Sequence, residues 1–110
     1  MRRAGRYVIL EHEGSACGPH FDWMIEAGET LATWRVAVPP AEVSPAGAAA
    51  ERIADHRTAY LSYEGPVSGG RGTVVRVEAG SYEADVEKDV WRVTLGTRAF
   101  VLARDKVTPG

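Results

Sequence analysis

The sequence contains one cysteine in 110 residues, which excludes several classes of protein. Cys17 has no partner within the chain, so no internal disulfide can form, as is usual in a reducing compartment. A structural zinc site built from C-x2-C pairs is excluded for the same reason. No apolar run is long enough to cross a bilayer, and the one after the basic start is too short for a signal peptide. We therefore expect a cytoplasmic protein that does not associate with membranes.

The sequence also lacks an excess of positive charge. Its formal net charge of -2 provides no overall attraction to a polyanion, so any contact with nucleic acid must come from a local patch. The glycine cluster at residues 69–72 precedes a strand and has no Gly-Lys-Ser/Thr ending, which excludes a phosphate-binding P-loop. The length fits one domain over residues 1–110.

Alternating strand signals recur along the chain, and short turns that contain glycine separate several of them. The predicted strands are Arg6–His12, His20–Glu26, Thr30–Val38, Gly72–Glu78, Ser81–Val86, Val90–Leu95 and Ala99–Arg104. Tight turns imply antiparallel pairing, so we predict an all-β fold, a small antiparallel β-barrel with one or two short helical segments. The proline- and alanine-rich stretch from Pro39 to Asp55 predicts a loop, with a short helix starting near Pro45.

The three histidines provide the chemistry of interest. A strand places His20 and Asp22 on one face, whereas Phe21 and Trp23 point to the other. Together with His12, these residues offer two imidazoles and a carboxylate, a ligand set for a divalent transition metal. The alternative is a surface histidine that happens to lie near a carboxylate, which is common.

A second group surrounds the third histidine. His56 and Tyr60 share a face if the chain makes a helical turn there, and both can donate to an anionic oxygen. The alternative is a partly buried histidine and a tyrosine at the edge of the core. Cys17, three residues before His20, is interpreted as an incidental small residue. The tryptophans follow alternating apolar patterns and are interpreted as core residues instead of platforms for nucleic-acid bases.

Several segments resemble, in order, the motifs of the 3'-phosphoesterase domain of bacterial DNA ligase D, a family that includes small stand-alone members. The family pattern is roughly F-V-I-Q-x-H, H-Y-D-F-R-L-E, L-x-S-W-A-V-P-K, E-D-H-P-L-x-Y, F-E-G and G-T-V. The matching segments are YVILEH at 7–12, HFDWMIE at 20–26, LATW at 31–34, DHRTAY at 55–60, YEG at 63–65 and GTV at 72–74. The resemblance extends along nearly the whole chain.

The resemblance implies a compact β-barrel and a manganese-dependent enzyme of DNA repair that removes a terminal ribonucleoside and then the 3'-phosphate from DNA ends. By this match, His12, His20 and Asp22 bind Mn²⁺ or another divalent transition metal. His56 and Tyr60 contact the scissile phosphate, and His20 is an alternative group for proton transfer. DNA or RNA-DNA 3' ends are then the partner of a monomer, and a separate ligase or polymerase is a candidate protein partner.

Three basic positions of the family pattern are not basic here. Met24 replaces the arginine two residues after Asp22, which removes a bidentate donor to phosphate. The motif lysine has no counterpart in residues 36–40, and an arginine eight residues before the third histidine falls on Ala48. The candidate phosphate-binding replacements are Arg52, Arg57 and Arg71. Two hypotheses follow: a metal-dependent phosphoesterase, or a catalytically impaired metal-binding homologue that binds nucleic-acid ends or a protein partner.

Overall fold

The computed structural model describes residues 1–110 and consists mainly of one antiparallel sheet that closes on itself. The strands are β1 Arg2–Glu13, β2 His20–Ala27, β3 Thr30–Val36, β4 Ala48–Arg57, β5 Gly65–Pro66, β6 Thr73–Glu87, β7 Val90–Leu95, β8 Arg98–Leu102 and β9 Lys106–Pro109. Their order is β1-β2-β3-β4-β9-β8-β7-β6-β5, and a further pairing of β1 with β6 closes eight strands into a barrel. Strands make up 63% of the chain, so the predicted all-β barrel is confirmed.

Two short 3-10 helices, Pro40–Glu42 and Thr58–Leu61, are the helical parts of the chain. The structure contains no helix with the length and apolarity needed to span a membrane. The predicted loop from Pro39 to Asp55, with a helix near Pro45, is wrong in its second half, where β4 begins at Ala48. This strand is rich in small alanines, so its pattern is weak, and pairing with β3 decides its conformation.

The strand β6 replaces two predicted strands. We predicted a break at Ala79 and Gly80, but β6 continues through both residues and pairs with β1 along its length. A side chain on Gly80 would place its Cβ 3.2 Å from the ring of Tyr7, which packs across it. This glycine therefore accommodates a tyrosine within the sheet, and no turn is made there.

Alternate residues of the first strands face two different apolar clusters. The main core inside the barrel contains fifteen buried residues, among them Trp23, Trp34 and Trp91, so the interpretation of the tryptophans as core is confirmed. The opposite face, which we call the outer face, carries a smaller cluster formed by Val8, Leu10, Met24, Leu31 and Val74. As predicted, His20 and Asp22 alternate with core residues of β2 and therefore lie on this outer face.

A buried tyrosine of the main core links β1 to β6. The phenol of Tyr7 donates a hydrogen bond to the carboxylate of Glu78, which also accepts one from Arg98. Burial first, and then the neighbouring Glu78 carboxylate, raise the pKa of Tyr7 to about 12. The tyrosine is therefore held in its neutral, hydrogen-bond-donating form.

Candidate functional site

A cavity of about 390 Å³ opens on the outer face of the first four strands. Its walls come from β1, β2, β3, β4 and β6, and its rim comes from residues 15–17 and from the segment that contains Val67 and Arg71. This volume lies within the usual range for small-molecule sites. The cavity collects the residues that the sequence singled out on three separate segments.

Two imidazoles and one carboxylate meet at the end of the β1–β2 pair. His12 lies directly opposite His20 in the antiparallel register, and Asp22 follows on the same face of β2. The two histidine ring centroids are 4.7 Å apart, and ligand atoms of all three residues lie within 4.8 Å of one another. Strand pairing alone therefore assembles the predicted ligand set.

In each imidazole, one ring nitrogen donates to a main-chain carbonyl. His12 Nε2 lies 2.7 Å from the carbonyl oxygen of Arg71, and His20 Nδ1 lies 2.9 Å from that of Gly18. A carbonyl only accepts hydrogen bonds, so we assign the proton of each neutral ring to these nitrogens. The other nitrogens, His12 Nδ1 and His20 Nε2, then each carry a lone pair.

Both lone pairs face the carboxylate of Asp22. His12 Nδ1 lies 3.2 Å from Asp22 Oδ2, and His20 Nε2 lies 3.1 Å from Asp22 Oδ1. Despite this short distance, Oδ1 is buried and makes no hydrogen bond. Lone pairs that converge on a buried carboxylate are unfavourable in the absence of a cation. The donor set therefore fits a divalent transition metal, and the two carbonyls hold the rings in the required orientation.

The position of His12 depends on a close approach of two backbone segments. Gly72 has a φ of +91°, and a Cβ there would lie 1.9 Å from the carbonyl oxygen of Glu13. Only glycine permits this contact. It holds the preceding residue, Arg71, where its carbonyl accepts the His12 hydrogen bond.

His56 reaches the cavity because of an irregularity in the β3–β4 pairing. In the register, Ile53 lies opposite Thr33. His56 lies opposite Leu31, so β4 has one more residue than β3 between these pairs. Residues three apart on a regular strand point to opposite faces, but this β-bulge allows both Ile53 and His56 to line the cavity. His56 Nδ1 lies 3.0 Å from the carbonyl oxygen of Ala54, which leaves Nε2 for exchange of a proton.

Tyr60 lies on the 3-10 helix Thr58–Leu61, whereas His56 lies on β4, so the helical turn that we expected to carry both residues begins only after His56. Both side chains nevertheless line the same cavity. The Tyr60 ring packs edge-on against His56 at a centroid distance of 5.6 Å. On its other side it packs against Tyr63 at 5.7 Å. Cys17 also lines the cavity but is not part of the ligand cluster.

The three arginines considered as phosphate-binding groups occupy different places. Arg71 lines the cavity, and its Nε donates to the carbonyl of Ser68 over 2.7 Å. Arg57 lines a neighbouring cavity of about 240 Å³ that shares a tyrosine with the first. The Arg52 guanidinium stacks 4.5 Å from the centre of the Trp34 ring, and Trp34 belongs to the main core. Arg52 does not line the cavity. The structure thus brings Arg71 to the site, places Arg57 beside it and leaves Arg52 away from it.

Arg35 lines the cavity and was missed in the sequence analysis. It lies opposite Asp22 in the β2–β3 register, which follows from the tight turn after Ala27. One guanidinium nitrogen lies 3.0 Å from Glu51 Oε1. Its Nε is buried and has no hydrogen-bond partner. Arg35 therefore places a positive charge next to the candidate metal ligands. None of the motif matches includes this residue.

The chain matches the family model of the DNA ligase D 3'-phosphoesterase domain over residues 11–109. It belongs to this family. The match confirms the resemblance and includes every candidate residue from His12 to Arg71. Members of this family are phosphoesterases that process DNA 3' ends. A comparison of the chain with curated proteins finds no match.

Proposed function

We propose that the protein is a metal-dependent phosphoesterase that removes a 3'-phosphate or a 3'-terminal ribonucleoside from DNA. The convergence of His12 Nδ1, His20 Nε2 and the unpartnered Asp22 carboxylate oxygen in one cavity supports this function. Family membership supports DNA 3' ends as the substrate. A separate ligase or polymerase that uses the trimmed end is the protein partner that we propose for a monomer.

His12, His20 and Asp22 are the residues that would bind the metal, and Mn²⁺ is the ion that we propose. Two imidazoles and one carboxylate also accept other divalent transition metals. A bound metal would supply Lewis-acid polarisation of a phosphoryl oxygen. The carbonyls of Gly18 and Arg71 keep both imidazoles in the tautomer that binds a cation.

The remaining cavity residues would bind the phosphate and transfer protons. His56 Nε2 exchanges a proton with a reacting oxygen, because Nδ1 is engaged by the Ala54 carbonyl. The phenol of Tyr60 donates a hydrogen bond to a phosphoryl oxygen. Arg71 in the cavity and Arg57 beside it add positive charge near the ester. In this scheme His20 is a metal ligand, since its Nε2 faces Asp22.

Release of inorganic phosphate from a DNA primer with a 3'-phosphate tests the proposal. With Mn²⁺ present, we expect turnover by the wild type, and we expect His12→Ala and His56→Ala each to lower kcat/KM by about 100-fold or more. Arg92→Gln, an exposed arginine on β7, is the matched control and should retain full activity. Equal turnover in wild type and His12→Ala would disprove the assigned site.

A second candidate function is binding of DNA 3' ends, or of a protein partner, without cleavage. Met24 favours it, because this residue is 1% exposed within the outer apolar cluster and replaces the motif arginine. An inactive wild type that retains 3'-phosphate DNA only with Mn²⁺ would support this function. Loss of retention in Asp22→Ala would assign the binding to the metal cluster. Neither turnover nor retention would refute both functions.

A further inference from the structure

Two strand positions flank Asp22 on the outer face of the sheet. Met24 follows Asp22 on β2, and Arg35 lies directly opposite Asp22 on β3. Met24 itself pairs with Thr33, which makes Met24 and Arg35 diagonal neighbours. Diagonal neighbours are about 7–8 Å apart, a distance that a long side chain can cover. A guanidinium carried by residue 35 can therefore serve the same part of the cavity as one carried by residue 24.

The guanidinium of Arg35 is available to an anion. Its ion pair with Glu51 joins a side chain that is 31% exposed to one that is 65% exposed. Such an exposed pair contributes little to stability, whereas a bidentate contact between guanidinium and phosphate is much stronger. The buried Nε also has no partner and is left with an unused donor. A phosphate in the cavity can therefore displace Glu51 from the terminal guanidinium nitrogens of Arg35.

We propose that Arg35 is the phosphate-binding arginine of this site, in place of the arginine that the family pattern has at residue 24. The ligand class is a terminal phosphate ester, and the proposal rests on the proposed function in assuming that this cavity holds the phosphate. In the absence of phosphate, the Arg35 guanidinium forms an ion pair with the Glu51 carboxylate. Met24 is then an apolar neighbour of a relocated cation, and the site retains its positive charge.

Calorimetric titration of Mn²⁺-loaded full-length protein with inorganic phosphate tests this assignment. Arg35→Gln should weaken phosphate binding about 10-fold or more and lower kcat/KM on the 3'-phosphate primer by about 100-fold. Glu51→Gln removes the competing carboxylate and should leave phosphate binding unchanged or tighter. Mn²⁺ affinity should be unaffected by either substitution. Arg92→Gln controls for loss of an arginine elsewhere.

The outcomes separate this assignment from the proposed function. Primer turnover with equal phosphate affinity in wild type and Arg35→Gln overturns the assignment and leaves the function standing. Phosphate binding that depends on Arg35, without turnover, supports the assignment and disproves the enzyme. A wild type that binds no phosphate overturns the assignment. Equal loss of phosphate affinity in Arg35→Gln and Glu51→Gln also overturns it, because it indicates that the ion pair is structural. If Arg35→Gln does not fold, Arg35→Lys replaces it, and a loss of affinity despite the retained charge supports bidentate binding.

Discussion

Replacement of Asp22 by asparagine should change stability in opposite directions with and without metal. The carboxylate faces two imidazole lone pairs at 3.1 and 3.2 Å, and its Oδ1 has no hydrogen bond. With neutral rings in the tautomers assigned above, this contact is unfavourable in the metal-free protein. An asparagine amide can donate to one of the lone pairs at the same distance. We expect Asp22→Asn to be more stable than the wild type by about 1 kcal/mol in EDTA.

Manganese should reverse this order. At a concentration 100 times its Kd, a ligand that binds only the folded state stabilises it by about 2.7 kcal/mol. If the lost charge weakens metal binding about 100-fold, the same Mn²⁺ concentration stabilises Asp22→Asn by only about 0.4 kcal/mol. The wild type would then exceed the variant by about 1 kcal/mol. The two stability curves therefore cross as the metal is added.

Urea unfolding in EDTA and in Mn²⁺ measures both differences. Asp85→Asn is a suitable control, since its side chain is 58% exposed and lies far along β6 from the cavity. This control should change the unfolding free energy in EDTA by no more than about 0.5 kcal/mol. The stability gained from Mn²⁺ should equal that of the wild type. A variant less stable than the wild type in EDTA would show that Asp22 is satisfied without metal. An equal gain from Mn²⁺ in both proteins would place the ion elsewhere.

Three further perturbations test other parts of the structure. Gly72→Ala should lower the unfolding free energy by more than about 2 kcal/mol in urea titration and weaken Mn²⁺ binding through His12, because its Cβ would clash with a carbonyl at 1.9 Å; wild-type values for both would contradict the close approach. With a pKa of about 12, Tyr7 stays protonated in the folded protein above pH 10, whereas the unfolded chain loses this proton there. The unfolding free energy should therefore fall by about 2–3 kcal/mol between pH 10 and 12. Tyr7→Phe should reduce that fall in urea unfolding across this range, and an unchanged slope would refute the assignment. Met24→Arg should lower the melting temperature, since it introduces a charge into the apolar outer cluster; an unaltered melting temperature would show that the guanidinium reaches the cavity without burial.

The cluster of His12, His20 and Asp22 was predictable from sequence because it depends on local geometry. The His20-x-Asp22 spacing fixes a common face on any strand, and the antiparallel β1–β2 register places His12 opposite His20. Arg35 was equally accessible to this reasoning. The β2–β3 turn pairs Ala27 with Thr30, and Asp22 and Arg35 lie equally far from that pair. The register of a tight hairpin therefore identifies cross-strand partners that motif matching leaves out.

Other parts of the site depend on contacts between distant segments. A β-bulge that brings His56 onto the cavity face is a property of the β3–β4 pairing, and nothing in the sequence near His56 marks it. Similarly, the core-side position of Arg52 follows from its register opposite Trp34. Because β4 was expected to be a loop, neither register could be inferred. Tertiary pairing overrode a weak local pattern in both cases.

The closure of the barrel is uneven, and this affects the wall that carries His56. β4 meets β9 through only two register pairs, Ala48 with Val107 and Ala49 with Lys106. The backbone N–H groups of Ala50 and Arg52 donate to carbonyls of residues 105 and 104, which precede β9. Beyond Arg52, β4 pairs only with β3. Segments with a free edge open at lower free energy than strands paired on both sides. Amide exchange should therefore be faster in β4 beyond Arg52 than in β2, which is paired on both sides. The cavity is thus bounded by β1 and β2, which are each paired on both sides, and by the part of β4 that has one free edge, so the wall that carries His56 should open most easily.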